Sequence, residues 1–264
     1  MLIPRLLTAF FLILGITSAI VLLPDVWFAT VIFLVTGLAC FELYSMVGVK
    51  SVLLRIALVF AYVVSCISLV LTGSDVTPLL YFCFVLWLLS FYLVISYPDR
   101  CSWLTNSLLV GFLGSVLLAG ASYSVIEIRG AEDGIFWLFW LFVLTTSVDA
   151  GGYFVGRKLG KRPLARRISP GKTLEGLIGG LAFSIVFCGL LSHFFMPGDY
   201  LGYYLLVPLV CFCVVGDLME SVVKRAYGKK DSGSILPGHG GLLDRIDSVI
   251  PVMSAGAVFL LSSN

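Results

Sequence analysis

Charge is what this chain has least of. Asp, Glu, Lys and Arg make up 12% of its 264 residues, about half the share of an ordinary soluble domain. So few charges cannot cover a soluble fold of this length, which excludes that class. The net charge of +2 is nearly balanced, so the total offers nothing to nucleic acid, and no nucleic-acid partner is expected. Only two histidines are present, and the seven cysteines form no CxxC pair. That excludes the usual Cys/His metal sites and gives no sign of a disulfide framework. Cys40, Cys66, Cys83, Cys101, Cys188, Cys211 and Cys213 sit mostly in apolar runs and read as small buried hydrophobes. Internal repeats and low-complexity tracts are also missing, which argues against a transporter built from paired halves.

Apolar length is what remains. The hydrophobic fraction is 59% and the mean hydropathy +1.06. About 20 apolar residues cross a bilayer core as a helix. Runs of that kind lie near residues 6–23, 27–47, 53–72, 78–97, 104–124, 134–155, 174–195, 200–222 and 248–262. The expectation is an all-α integral membrane protein, a bundle of about nine transmembrane helices. The run after Arg5 is too long for a signal peptide h-region and reads as a retained first helix. Pro251 suits the first turn of the last helix.

Basic residues set the orientation. With the N-terminus inside and the C-terminus outside, all but one of the 17 Lys and Arg residues fall on the cytoplasmic side, the exception being Arg129. Asp25, Asp75, Glu127, Glu132, Asp133 and Asp199 fall opposite. A miscounted helix would invert every later loop and destroy this segregation. Residues 1–130 read as scaffold helices. Polar chemistry concentrates in 131–264, with cytoplasmic loops 157–173 and 223–247.

The densest pattern runs from Ser221-Val-Val-Lys224-Arg225, through Lys230-Asp231-Ser-Gly, to Pro237-Gly-His239-Gly240-Gly241-Leu-Leu-Asp244-Arg245-Ile-Asp247. An ordinary cytoplasmic loop is positive and loosely patterned, whereas this one interleaves carboxylates, cations and a Gly-rich turn. Asp217 and Glu220, three apart near the end of the eighth run, share one helix face, as do Asp244 and Asp247 entering the ninth. Carboxylates at membrane depth are costly and should face a polar cavity. Asp149, Asp217 and Asp244 therefore suggest one acidic cluster at the cytoplasmic mouth.

The stretch resembles the signature of the phosphatidate cytidylyltransferases, S-x-x-K-R, four residues, K-D-x-G, then P-x-H-G-G-x-x-D-R-x-D, with each fixed position matched at its spacing. Two more blocks resemble the same family, Asp149-Ala-Gly-Gly-Tyr153-Phe-Val-Gly156-Arg157 and Ile168-Ser169-Pro170-Gly171-Lys172-Thr173-Leu-Glu175-Gly176. The family often has a second basic residue where Gly171 stands and Ala where Gly152 stands. A Phe41-Glu42-Leu-Tyr block on the second run extends the likeness toward the N-terminus.

The resemblance implies transfer of CMP from CTP to phosphatidic acid, giving CDP-diacylglycerol and pyrophosphate in phospholipid synthesis. It implies a multi-pass enzyme of the plasma (inner) membrane with its site toward the cytoplasm, among membrane lipids, and suggests a homodimer. Such a reaction brings two polyanions together, so the site must supply cations. Asp217 and Asp244 are the expected ligands of Mg²⁺, with Mn²⁺ as an alternative, and Asp149 and Asp247 close by. Asp217, Asp244, Lys224, Arg225 and Asp231 are the candidate catalytic residues. Ser169, Lys172, Thr173, Lys230, His239, Gly240, Gly241 and Arg245 are the candidates for substrate binding.

Plainer roles stand beside these. Arg157, Lys158, Lys161, Arg162, Arg166 and Arg167 suit anchoring to anionic lipid. Asp247 could pair with Arg245 or cap the last helix with Ser248. Glu42 could serve a structural hydrogen bond, and His193 has no evident task. A polyprenol kinase or an isoprenoid-ether cytidylyltransferase would share the setting but not the intact K-D to H-G-G-x-x-D-R-x-D stretch.

Overall fold

The computed structural model describes residues 14–99, 101–198, 200–233, 235 and 240–262. The first described helix, α1, covers residues 14–22. Seven long helices follow: α2 (Asp25–Met46), α3 (Val52–Leu71), α4 (Thr77–Ser96), α5 (Ser107–Gly130), α6 (Gly134–Leu159), α7 (Leu174–Phe195) and α8 (Leu201–Ala226). Each of these seven is long and apolar enough to cross a membrane. The one-turn helix α9 (Leu243–Ile246) leads into α10 (Val249–Leu261), which is apolar but shorter. Each expected run from 27–47 onward thus has its helix, α5 starting at Ser107 and extending to Gly130, while residues 6–13 of the first run lie outside the described residues.

Membrane character inverts the usual inside–outside rule. Helix α3 buries only Tyr62 and Cys66 and turns its aliphatic side chains outward, as a lipid-facing helix should. The interior is where polar groups find partners. The Tyr62 hydroxyl donates to Thr36 Oγ1 at 3.0 Å, and the Ser122 hydroxyl reaches the same oxygen at 3.0 Å. Tyr44 and Ser115 share a hydrogen bond of 2.7 Å. These contacts tie α2, α3 and α5 together where no aqueous competitor weakens them.

Helices α6 and α7 pack through facing glycines. A Cβ on Gly180 would lie 2.9 Å from the Val148 carbonyl oxygen, and one on Gly176 would lie 2.9 Å from the Gly152 carbonyl oxygen. Only bare backbone permits that approach. The connection between them, expected as the loop 157–173, carries regular structure. Residues Pro163–Ala165 (β1) and Ser169–Thr173 (β2) form an antiparallel hairpin, Ala165 opposite Ser169 and Pro163 opposite Thr173. Glu175 pins it to α7 by accepting from the Lys161 and Arg162 backbone N–H groups at 3.0 and 3.1 Å. Thr173 closes the hairpin and caps α7, its hydroxyl oxygen accepting from Gly176 N–H at 3.1 Å. The hairpin thereby holds Lys172 against α8.

Arg129, the lone basic residue at the opposite end among the described residues, is largely sequestered. It pairs with Asp25 at 2.9 Å, donates to the carbonyls of Ile20 and Leu23, and lies over the Phe28 ring. Its charge staples α5 to the α1–α2 turn.

Candidate active site

Five elements deliver polar side chains to one end of the bundle: the C-terminal ends of α2, α6 and α8, strand β2, and the turn through α9 into α10. They form two linked groups. In the first, Lys172 from β2 forms an ion pair with Asp217 of α8. Asp149 from α6 feels the charges of Asp217, Lys172 and Arg245, and Asp247 feels those of Asp217, Lys172 and Asp149. A cavity of about 260 Å³ opens beside them, where Asp149, Lys172, Thr173 and Asp217 stand among apolar side chains that include Leu164, Leu177 and Val214. Burial and the Asp217 charge push the Asp247 carboxyl up from its ordinary value, as expected of like charges sharing a poorly hydrated site. Its Oδ1 accepts the Ser248 N–H at 2.7 Å, while Ser248, the N-cap of α10, makes no side-chain cap hydrogen bond.

The second group is organised by Lys224. Its ammonium pairs with Glu220 one turn earlier and donates to Asp244 Oδ1 at 2.8 Å. Asp244 also accepts from Ser232 N–H at 3.1 Å and from Gly241 N–H at 3.0 Å. Burial works against ionising Asp244, but Lys224 and the Ser232 N–H outweigh it and hold the carboxyl down at about 2. Gly240 adopts φ +84°, a conformation open to glycine at little cost, and so turns the chain to bring Gly241 N–H onto that carboxylate.

Glu42 completes the frame. It is buried, and its carboxylate accepts from Leu243 N–H at 2.9 Å, Ser232 Oγ–H at 3.3 Å and Ile235 N–H at 3.3 Å. A residue of α2 thus holds the signature loop at both ends. Lys229 adds a second tie, donating to the Ser45 carbonyl at 2.7 Å. The available signal for Glu42 was its solitude, the one charged side chain in the 27–47 run; nothing in the sequence signalled Lys229.

The remaining candidates divide. Arg225, Lys230, Asp231 and Arg245 are exposed around this end, and Ser169 is half-buried on the hairpin. Thr173 lines the cavity while serving as a helix cap. His239 lies outside the described residues. The two expected metal ligands stand in different groups: Asp217 with Asp149 and Asp247, Asp244 with Lys224. Among the described residues no three acidic, Cys or His side chains form a ready metal cage. Mg²⁺ usually takes only one or two protein carboxylates and keeps positions for substrate phosphate. One or two of Asp149, Asp217 and Asp247 would match that habit, being hard oxygen donors whose mutual repulsion a divalent cation would relieve.

A bundle of membrane-length helices that gathers carboxylates and ammonium groups beside a cavity at one end defines a polytopic helical membrane protein with a charged cluster inside it. The Cytidylyltransferase family matches residues 3–263, and the chain belongs to that family. It is similar to the phosphatidate cytidylyltransferase of Haemophilus influenzae, with 40% identity over 191 residues and 66% of each chain covered. The Bacillus subtilis enzyme of the same name is 44% identical over 150 residues, covering 54% of this chain and 55% of that one. The Pseudomonas aeruginosa one is 34% identical over 257 residues, covering 95% of both. The chain therefore spans between half and two thirds of the first two relatives and nearly all of the third.

Proposed function

We propose that this protein transfers CMP from CTP to phosphatidic acid at the cytoplasmic face of the plasma (inner) membrane, releasing pyrophosphate and leaving CDP-diacylglycerol in the bilayer. The observation that carries this reading is the Asp149, Lys172 and Asp217 cavity, where a charged chamber meets the end of an apolar bundle. Water-borne triphosphate and membrane-borne phosphate can meet there. The relatives' shared name supplies the nucleotide and the lipid.

The lipid's phosphomonoester carries about −1.5 to −2 charge at pH 7, so its oxygen is already a nucleophile. It attacks the α-phosphorus of CTP, a new P–O bond forms, and the bond from that phosphorus to the bridging oxygen breaks, its electron pair leaving on pyrophosphate. No proton need move in this step, and none is assigned to a side chain. The work is charge neutralisation and alignment. Lys172, paired with Asp217 in the cavity wall, and Arg245, whose charge reaches Asp149, supply positive charge there, and exposed Arg225 and Lys230 are further candidates for phosphate contact. Lys224 is committed to Glu220 and Asp244, so it acts through Asp244 to position the signature loop. Asp217, with Asp149 and Asp247, would hold Mg²⁺, which when bound neutralises the triphosphate. Family resemblance also supports a homodimer.

Purified protein in detergent, given phosphatidate, CTP labelled at the α-phosphate and Mg²⁺, should move label into the lipid and release pyrophosphate in equal amounts. A panel with polyprenol and isoprenoid-ether acceptors should show preference for phosphatidate. No lipid labelling with any acceptor would overturn the assignment.

A further inference from the structure

A larger chamber, of about 400 Å³, lies on the other side of the acid cluster, within the range of roughly 300–1,000 Å³ typical of small-molecule sites. Its walls come from α2, α4, α5 and α8, and Trp103 and Leu104 lie along it. Nearly all of this lining is apolar. Two features separate it from a packing gap. Glu220 and Asp247 form part of the wall, so the chamber reaches the acid cluster whose members Asp149 and Asp217 line the smaller cavity. Leu89, Tyr92 and Leu109 also line it and are exposed on the outer surface of the bundle, so it reaches the lipid-facing side. A single chamber thus joins the membrane to the carboxylates.

Two of the residues in its wall carry a buried polar atom that has no partner among the described residues. Trp87 is 5% exposed and its indole N–H finds no acceptor there. Glu220, 8% exposed, uses one carboxylate oxygen on Lys224, and its Oε1 finds no donor among the described residues. Unsatisfied buried polar groups are costly and call for an explanation, such as a partner supplied by something bound.

We propose that this chamber is the acyl-chain and ester site for the lipid substrate, with the Trp87 indole N–H donating to a carbonyl of the glycerol ester. The inference rests on the lipid-directed reading above and adds to it the path and the recognition group. One acyl chain lies between α4 and α5, the ester reaches Trp87, and the headgroup phosphate is directed past Asp247 toward Lys172 and Asp217. A phosphatidylcholine molecule would bring its choline group to the same place, so the site selects by the phosphomonoester as well as by the chain.

Two variants and two readouts test this. Leu113→Trp fills the chamber from α5; Trp87→Phe keeps the ring and removes the donor. Leu113→Trp should lower kcat/KM for dioleoyl phosphatidate by about tenfold or more, the scale at which pocket shape discriminates. It should change dihexanoyl phosphatidate and the KM for CTP by less than about twofold. Trp87→Phe should raise KM for both lipids about three- to tenfold, the worth of one hydrogen bond, with kcat held. Independently of turnover, phosphatidate with brominated acyl chains should quench indole fluorescence saturably at low mole fraction, and Trp87→Phe should lose that component. Equal loss on long and short chains, no change on either, or the same saturable quenching by brominated phosphatidylcholine would overturn the proposal. If the parent protein shows saturable phosphatidate quenching but no CTP turnover, the site stands and the enzymatic assignment fails. Turnover without saturable quenching sinks the site and leaves the assignment intact.

Discussion

Asp244 shows how much one carboxylate can hold. It accepts from Lys224, Ser232 and Gly241, so Asp244→Asn both removes a charge partner from a buried ammonium and loosens the loop. Breaking a buried pair costs about 3–5 kcal/mol, and loss of a preorganised electrostatic group costs on the order of 10² to 10³ in rate. Activity should fall at least that far, together with thermal stability. Arg166→Gln, at an exposed position, should cost less than about tenfold, because one contact to anionic lipid is worth about 1 kcal/mol. An Asp244→Asn protein that migrates as the parent does and keeps a tenth of its activity would remove Asp244 from the site. Glu42→Gln tests the frame: three donors converge on two carboxylate oxygens, and an amide offers only one acceptor oxygen. At least one buried donor is stranded, at about 1–3 kcal/mol. The melting temperature in detergent should drop, whereas a purely catalytic Glu42 would leave it unmoved.

At the scale of elements, the glycine seam between α6 and α7 sets the distance between Asp149 and Lys172. Gly180→Val forces a side chain where a Cβ would already lie 2.9 Å from the Val148 carbonyl oxygen. Overpacking of this kind typically costs about 1–3 kcal/mol, and the helices can relieve it only by separating. Thermal stability and turnover should both fall. Gly189→Ala, whose nearest neighbour would be the Tyr203 ring at 3.5 Å, should be close to neutral. Equal tolerance of the two would remove the seam from the account. Most elements were legible from apolar run length, since a membrane helix must satisfy every backbone group internally. The hairpin at 163–173 and the turn at 243–246 were not legible. Both are short segments whose shape depends on a carboxylate outside them: Glu175, just past the hairpin, gathers the Lys161 and Arg162 N–H groups, and Glu42, far away in sequence, holds the Leu243 N–H.

For the whole molecule, the segregation of basic residues supports a cytoplasmic site. The single exception, Arg129, is buried in carbonyl contacts and an ion pair. In a cysteine-free variant, Lys158→Cys should react with an impermeant thiol reagent only after the cytoplasmic face is opened. Labelling in intact cells would reverse the orientation. Activity should vanish in excess chelator and return with Mg²⁺ or Mn²⁺, since hard oxygen ligands suit these ions. Full turnover under chelation would remove the metal role of Asp217 and its neighbours.

Sequence by itself determined the membrane class, the helix runs and the identity of the signature residues, because these depend on apolar length and on fixed local spacing. Only the tertiary structure decided which carboxylate faces which cation. Asp217 and Asp244 looked like a ligand pair, yet Lys172 engages the first and Lys224 the second. Glu42 became the keystone of a loop some 190 residues away. Pairings of this kind are set by how helices from distant parts of the chain pack, and no local pattern encodes that packing.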